Sequence, residues 1–247
     1  MTMEGKISAV LEIDGINTYR ATAHILHGVS LNVGEREVVC LVGRNGAGKT
    51  TTIESIMGLL PVSSGTVRFQ GQDITRLPAH QRARRGLGYS PENCGIFPDL
   101  TVAENLSISR WLSEERSGAG ADGADAVEER VYSVFPEVRA LTGRRGLNLS
   151  GGQRKMVAVA RAMFLSPSLL LLDEAFEGLA PVVVSRFREA MIKIKALGIS
   201  LLMAESHLPA AAAIADRLYA IDRGEIIFHG KPDEALANED VMKTVRG

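Results

Sequence analysis

Gly43-Arg44-Asn45-Gly46-Ala47-Gly48-Lys49-Thr50 reads G-x-x-x-x-G-K-T, and it follows the apolar run Val38-Val39-Cys40-Leu41-Val42. Strand, glycine turn and helix start in that order form the context of a phosphate-binding loop. The glycines let the backbone turn sharply and approach an anion closely. Consecutive N–H groups then face the oxygens, helped by the positive end of the following helix. Lys49 would supply a point charge to the β- and γ-phosphates, and the Thr50 hydroxyl would ligate Mg²⁺. The plain alternative is a glycine turn between strand and helix. With Gly near 7% of average usage, the four fixed positions match by chance in only a few of ~10⁵ windows.

Outward from this loop, 247 residues of which 45% are hydrophobic suffice for one large core, or one core with a small satellite. The net charge of −1 lacks the basic footprint of a nucleic-acid binder. The Arg-rich stretch His80 to Arg85 carries no interleaved aromatics and is expected to be the solvated face of a surface helix. Cys40, in the strand before the loop, reads as a small core residue. Cys40 and Cys94 are the only cysteines, and two such thiols suit a reducing compartment. Met1 to Val10 shows no secretory apolar region, and the longest apolar runs are too short to cross a bilayer. His24 and His27 are close, but no further ligand follows at metal spacing.

The patterning predicts an antiparallel sheet from Ile7 to Val33, then strands at Val38–Val42, Thr66–Phe69, Leu87–Ser90, Leu169–Leu172, Ser200–Ala204, Leu218–Ile221 and Glu225–His229. Helices are expected at Lys49–Leu59, Val102–Leu112, Ala126–Phe135, Gly151–Leu165, Val182–Leu197 and Leu208–Asp216, with a flexible loop over Ser113–Asp125. Strands alternating with helices imply an α/β fold with a mostly parallel sheet. The stretch from about 93 to 160 reads as a helical insert.

Two further constellations carry chemistry. Leu170-Leu171-Leu172-Asp173-Glu174 ends an apolar strand in two acids. Ligands collect at the carboxyl ends of strands in open parallel sheets. Asp173 there can hold Mg²⁺ through water, and Glu174 can polarise an attacking water as general base. A helix N-cap acid is the simpler alternative for the isolated pair. Leu149-Ser150-Gly151-Gly152-Gln153 precedes a helix; Ser150 can cap it, and the glycines let backbone N–H groups face an anion.

In that order, the three stretches resemble the Walker A, signature and Walker B motifs of an ABC ATPase, and the resemblance covers nearly the whole chain. It is nearest to the ATPase subunits of branched-chain amino-acid importers. Ile96 to Leu106, Glu177-Gly178-Leu179-Ala180-Pro181 in place of the usual Gly-Leu-Asp-Pro, and the tail Ala235 to Val241 carry that nearer likeness. The resemblance implies a P-loop NTPase of one domain, 1–247. Residues 1–92 and 161–247 would form a RecA-like core plus an antiparallel β subdomain, and 93–160 a helical subdomain. It implies ATP and Mg²⁺ as cofactors, the latter held by Thr50, Asp173 and Glu92. Gly43 to Thr51 would bind the nucleotide, and Ser150, Gly151, Gly152 and Gln153 would do so across a head-to-tail dimer with a second ABC ATPase subunit. Tyr19 matches the aromatic that stacks on adenine, a surface tyrosine near a strand edge being the alternative. Transmembrane permease subunits and, indirectly, a solute-binding protein would be the other partners, at the cytoplasmic face of the inner (cell) membrane.

Three positions depart from the general pattern. Glu92 stands where most relatives carry Gln, and the importer subfamily often has Glu there. Ala180 replaces the Asp of the next loop, removing one cross-dimer hydrogen bond. At the switch position a gap-free match places Ser206, with His207 one residue later; a one-residue shift along a strand turns a side chain to the opposite face, which favours Ser206. Slower hydrolysis than in a typical member is the expectation, with Lys49 and Glu174 as the other catalytic residues. Two other functions stay open: a low-turnover regulatory module, kept alive by Ser206 and Glu92, and a nucleic-acid or ribosome-linked ATPase, which would ordinarily bring a coiled-coil insert, tandem domains or a basic surface.

Overall fold

A computed structural model describes residues 9–117 and 124–246. In chain order the elements are β1 (Ala9–Arg20), β2 (Ala23–Gly34), β3 (Val38–Val42), α1 (Lys49–Met57), β4 (Val62–Phe69), β5 (Gln72–Asp73), α2 (Ala79–Arg84), β6 (Leu87–Ser90), α3 (Val102–Ser117), α4 (Ala124–Val134) and α5 (Pro136–Ala140). After a 3₁₀ turn at Gly146–Asn148 come α6 (Gly151–Met163), β7 (Leu169–Asp173), α7 (Pro181–Ala196), β8 (Ser200–Glu205), α8 (Leu208–Ala212), β9 (Arg217–Asp222), β10 (Glu225–Gly230), α9 (Pro232–Ala237) and α10 (Glu239–Arg246).

Six strands form one sheet in the order β10-β9-β3-β8-β7-β6, parallel throughout except for β10 at the edge. The other four form an antiparallel sheet, β2-β1-β4-β5. Every residue of β3, β7 and β8 is buried, as continuous apolar runs require when both faces of a parallel sheet are covered. The period-2 alternation splits these runs between two cores. Cys40, Leu170, Leu172 and Met203 pack with the helical side of the chain, through Phe187 and Val157. Val39, Leu41, Leu171 and Leu202 pack with α1 and the antiparallel sheet, through Ile53, Ile56, Leu11 and Phe69. The loop between β3 and α1 therefore opens where two cores meet, at the carboxyl ends of the parallel strands.

Several expectations change. Ile7 and Ser8 lie outside the described residues, as does most of the Met1–Val10 stretch, so the first strand is described from Ala9. The flexible loop expected at Ser113–Asp125 is helical at both ends: α3 runs on to Ser117 and α4 begins at Ala124, while residues 118–123 lie outside the described part. Glu114, Glu115 and Arg116 are good helix formers and extend α3 past its apolar periodicity. The helix expected over Leu208–Asp216 stops at Ala212. Asp216 is instead tied to β3, donating its N–H to Val38 O and accepting the Val38 N–H on its carboxylate, both at 2.8 Å.

In the Arg-rich helix His80, Arg84 and Arg85 are exposed as expected, and Arg82 alone departs. Arg82 is 2% exposed, not solvated. Its guanidinium donates to the carbonyls of Leu77, Ser55, Ile56 and Thr75 at 2.6–2.9 Å. Ser55 and Ile56 lie in the last turn of α1, whose carbonyls have no partner within the helix. Arg82 thus ties α2 to the helix that carries Lys49. Burial lowers its pKa to about 10, which leaves it charged near neutral pH.

Candidate functional site

Gly48 opens α1 with φ +115, and no side chain caps that helix. A Cβ on Gly48 would meet Leu26 Cδ2 at 3.0 Å, and one on Gly43 would meet Ile221 O at 2.4 Å. Glycine is required at both places, at Gly48 by its left-handed backbone and at Gly43 by the approach of β9. The turn encloses part of a cavity of about 460 Å³ lined by Asn45, Gly46, Gly48, Lys49, Thr50 and Thr51. Glu92 and Glu174 line it from the strand ends, and Arg20 and Ile25 from the β1–β2 hairpin. Gly43, Arg44 and Ala47 support the turn from outside. The Gly43 N–H bonds to Glu205 O, Ala47 N–H closes onto Arg44 O, and Arg44 pairs with Asp222 at 3.3 Å.

Lys49 bends back over the turn. Its Nζ donates to Gly43 O at 2.7 Å and Arg44 O at 3.2 Å, and pairs with Glu174 Oε1. Glu174 follows β7 in a left-handed conformation, φ +49. A non-glycine residue held there is strained, and such strain is concentrated at functional positions. Its other oxygen accepts both the Ser206 hydroxyl at 3.0 Å and the Ser206 N–H at 3.1 Å, and its backbone carbonyl accepts the Lys155 ammonium from α6. His207 is exposed and turns the other way: its Nδ1 accepts the Ala210 N–H at 3.3 Å and caps α8.

Thr50 donates its hydroxyl to Asp173 Oδ1 at 3.2 Å, while Asp173 Oδ2 is buried with no partner. Burial raises the Asp173 pKa to about 6, and the charges of Glu174 and Glu92 add to this against the Thr50 bond. An orphaned buried carboxylate oxygen beside a hydroxyl and a second acid is an oxygen-only donor set, which suits a hard divalent cation.

Five expected binding residues beyond the glycine turn, Tyr19 and the four of Ser150–Gln153, do not line the cavity. Ser150 to Gln153 open α6 through a reciprocal capping box, with Ser150 N–H on Gln153 Oε1 at 3.0 Å and Gln153 N–H on Ser150 Oγ at 3.3 Å. None of the four lines the cavity. Tyr19 does not line it either; its ring stacks on His24 with centroids 4.3 Å apart. Arg20, Ile25, Lys155 and Glu205 were missed by sequence reasoning. Strand alternation offered a signal for Arg20, which shares a face of β1 with the buried Thr18 and contacts the same helix.

A family model described as ABC transporter matches residues 26–177, which include the Gly43–Thr50 turn, Ser150–Gln153 and Asp173-Glu174. The chain belongs to the ABC transporter family. As an ABC cassette it is an ATP-binding subunit, an ATPase coupled to transport. It is 31% identical over 238 residues to the high-affinity branched-chain amino acid transport ATP-binding protein BraG of Pseudomonas aeruginosa, covering 96% of this chain and 100% of BraG. It is 35% identical over 225 residues to the lipopolysaccharide export system ATP-binding protein LptB of Escherichia coli, covering 90% and 91%. The ADP conformation of MJ1267, an ATP-binding cassette of an ABC transporter, superposes with a TM-score of 0.81 at 27% identity, covering 97% and 99%. No helix of this cassette, among the described residues, is long and apolar enough to cross a membrane.

Proposed function

We propose that this cassette drives an importer for branched-chain or other hydrophobic amino acids, or related small organic solutes. Sequence features favour that substrate class: Ala180 before Pro181 at the start of α7, Glu92 in the cavity wall, and alignment with BraG from end to end. Lipid export is the second reading, favoured by the 35% identity to LptB.

The convergence of Lys49, Thr50, Asp173, Glu174 and Ser206 on one cavity edge carries the mechanism. The glycine turn binds the triphosphate through backbone N–H groups, and Lys49 leaves Glu174 for the β- and γ-phosphates. Released from Lys49, Glu174 holds the attacking water and takes its proton, oriented by the Ser206 hydroxyl and amide. Thr50, Asp173 and Glu92 would hold Mg²⁺, which would supply charge that neutralises the phosphates. The Ser150–Gln153 turn does not line the cavity of its own chain and serves the cavity of a second cassette in a head-to-tail dimer. Closing that dimer would move permease subunits through Glu92 to Phe97 and the helical segment, with the cassettes bound peripherally at the cytoplasmic face of the membrane.

Reconstitution with its permease in vesicles tests the substrate class. ATP-dependent uptake of leucine or valine, abolished by Lys49→Ala, is the expected result. Lipid extraction without amino-acid uptake would replace the importer by the exporter.

A further inference from the structure

Glu174 is held in a conformation that it would not keep unaided. Its φ of +49 lies in the left-handed region, which a residue with a Cβ occupies only where its surroundings over-determine it. Its N–H donates to Ala204 O of β8 at 2.9 Å, which fixes one side of the residue. On the other side its carbonyl accepts the Glu177 N–H at 3.3 Å, a long bond, and the ammonium of Lys155. The Lys155 bond is charge-assisted and is therefore the stronger of the two.

Lys155 stands in the second turn of α6 and is half-buried. Its charge also acts on the carboxyl of Glu205, which is sealed in the interior with neither oxygen hydrogen-bonded. A carboxyl keeps acceptor capacity whether ionised or neutral, so this second group also draws the ammonium inward from α6. The Glu174 side chain is set by equally close contacts, Oε1 at 3.0 Å from Lys49 Nζ and the other oxygen at 3.0–3.1 Å from the Ser206 hydroxyl and amide. Were the Glu174 carbonyl released, the residue would turn about its backbone and carry the carboxylate with it. A misplacement of about 1 Å in a reacting group can cost about a hundredfold in rate.

We propose that Lys155 is a positioning residue for Glu174: from α6 it locks the main chain of the general base in its left-handed turn, so that the carboxylate meets the attacking water. This rests on Glu174 being the general base of the Gly43–Thr50 cavity. Lys155 does not line that cavity, and its effect on the reaction passes through Glu174.

Phosphate release by the cassette reconstituted with its permease, together with calorimetry of ATP binding to the purified chain, tests this. Lys155→Met keeps the stem and removes the donor. It is expected to lower kcat about 10–100-fold and to leave KM and the calorimetric affinity within about twofold. Lys155→Gln is too short to reach the carbonyl, so it gives a similar loss even if the methionine variant fails to fold. Lys155→Arg restores a cationic donor and should recover most of the rate. In a Glu174→Gln background the base is already gone, so adding Lys155→Met should lower turnover by less than about twofold more. The full loss again in that background, or equal losses of kcat and ATP affinity, would make Lys155 a general structural tie and overturn the proposal. Wild-type kcat in both Lys155→Met and Lys155→Gln overturns it as well, while a large loss in Glu174→Gln would leave the general base in place. Wild-type turnover in Glu174→Gln alone would instead remove the base, and the proposal with it.

Discussion

Lys49 Nζ lies 3.0 Å from Glu174 Oε1, and each side chain is 5% exposed. The pair joins the residue that would grip the phosphates to the residue that would activate water. A buried pair is held by mutual attraction against a large desolvation cost, so it opens readily only to a partner that replaces the lost charge. A triphosphate is such a partner for Lys49. In this structure the pair sits in the cavity wall with both charges mutually compensated.

Replacing Glu174 by Gln should therefore have two effects of opposite sign. ATP affinity is expected to rise a few-fold, because Lys49 loses its competing anion, while turnover falls by about 10²–10⁴ with the general base removed. Calorimetry gives the first and phosphate release under saturating ATP gives the second. Wild-type turnover in the variant would take Glu174 out of the reaction.

Ser206 and His207 part at the end of β8, and their roles divide accordingly. Ser206 grips Glu174 by side chain and backbone, whereas His207 caps a five-residue helix. Ser206→Ala should lower kcat about tenfold with KM for ATP nearly unchanged, since the base is disordered but the cradle is intact. His207→Ala should keep kcat within about twofold and cost about 0.5–2 kcal/mol of stability through the lost cap. Complete loss of activity in His207→Ala with an active Ser206→Ala would reverse the assignment.

Motifs whose chemistry is local were legible in the sequence. The glycine turn needs particular residues within eight positions, and β3 and β7 announce their double-sided burial as unbroken apolar runs, Val38–Val42 and Leu169–Leu172. What stayed hidden depends on partners distant in the chain. Arg82 looks like any surface arginine until the carbonyls of Ser55 and Ile56 surround it. Arg20 belongs to no motif, and its approach to Thr51 appears only when β1 docks on α1. Glu205 ends an apolar strand, where nothing local distinguishes a solvated acid from a sealed one.

Glu205 is wholly buried, and neither carboxylate oxygen makes a hydrogen bond. Burial, then the charge of Glu174, raises its pKa from the ordinary 4.5 to about 8; the Ala175 and Phe176 amides and Lys155 oppose this weakly. The folded chain thus binds a proton there that the unfolded chain releases between those values. Stability gained from this group is largest below about pH 4.5 and is lost as the pH climbs to about 8. Glu205→Gln removes that titration, so its melting temperature should fall less between pH 6 and pH 9 than that of the wild type. Parallel curves for the two proteins would show Glu205 to be ionised in the folded state.

Arg82 offers the sharpest test of how the nucleotide helix is held. Methionine has the length to fill the space but donates nothing, so Arg82→Met leaves the buried Ile56 carbonyl and the half-buried Thr75 and Leu77 carbonyls to find other partners, while Ser55 O keeps the Gly58 N–H. An unsatisfied buried acceptor costs about 1–3 kcal/mol, and some of these carbonyls will reach water or backbone donors. A net loss of about 2–4 kcal/mol is expected in denaturant unfolding. Arg82→Lys keeps the charge but has one ammonium in place of a planar fork, and it cannot reach carbonyls on both α1 and the Thr75–Leu77 turn together. It should recover less than half of the loss. A lysine variant as stable as the wild type would mean that charge alone, and not the fork geometry, secures the end of α1.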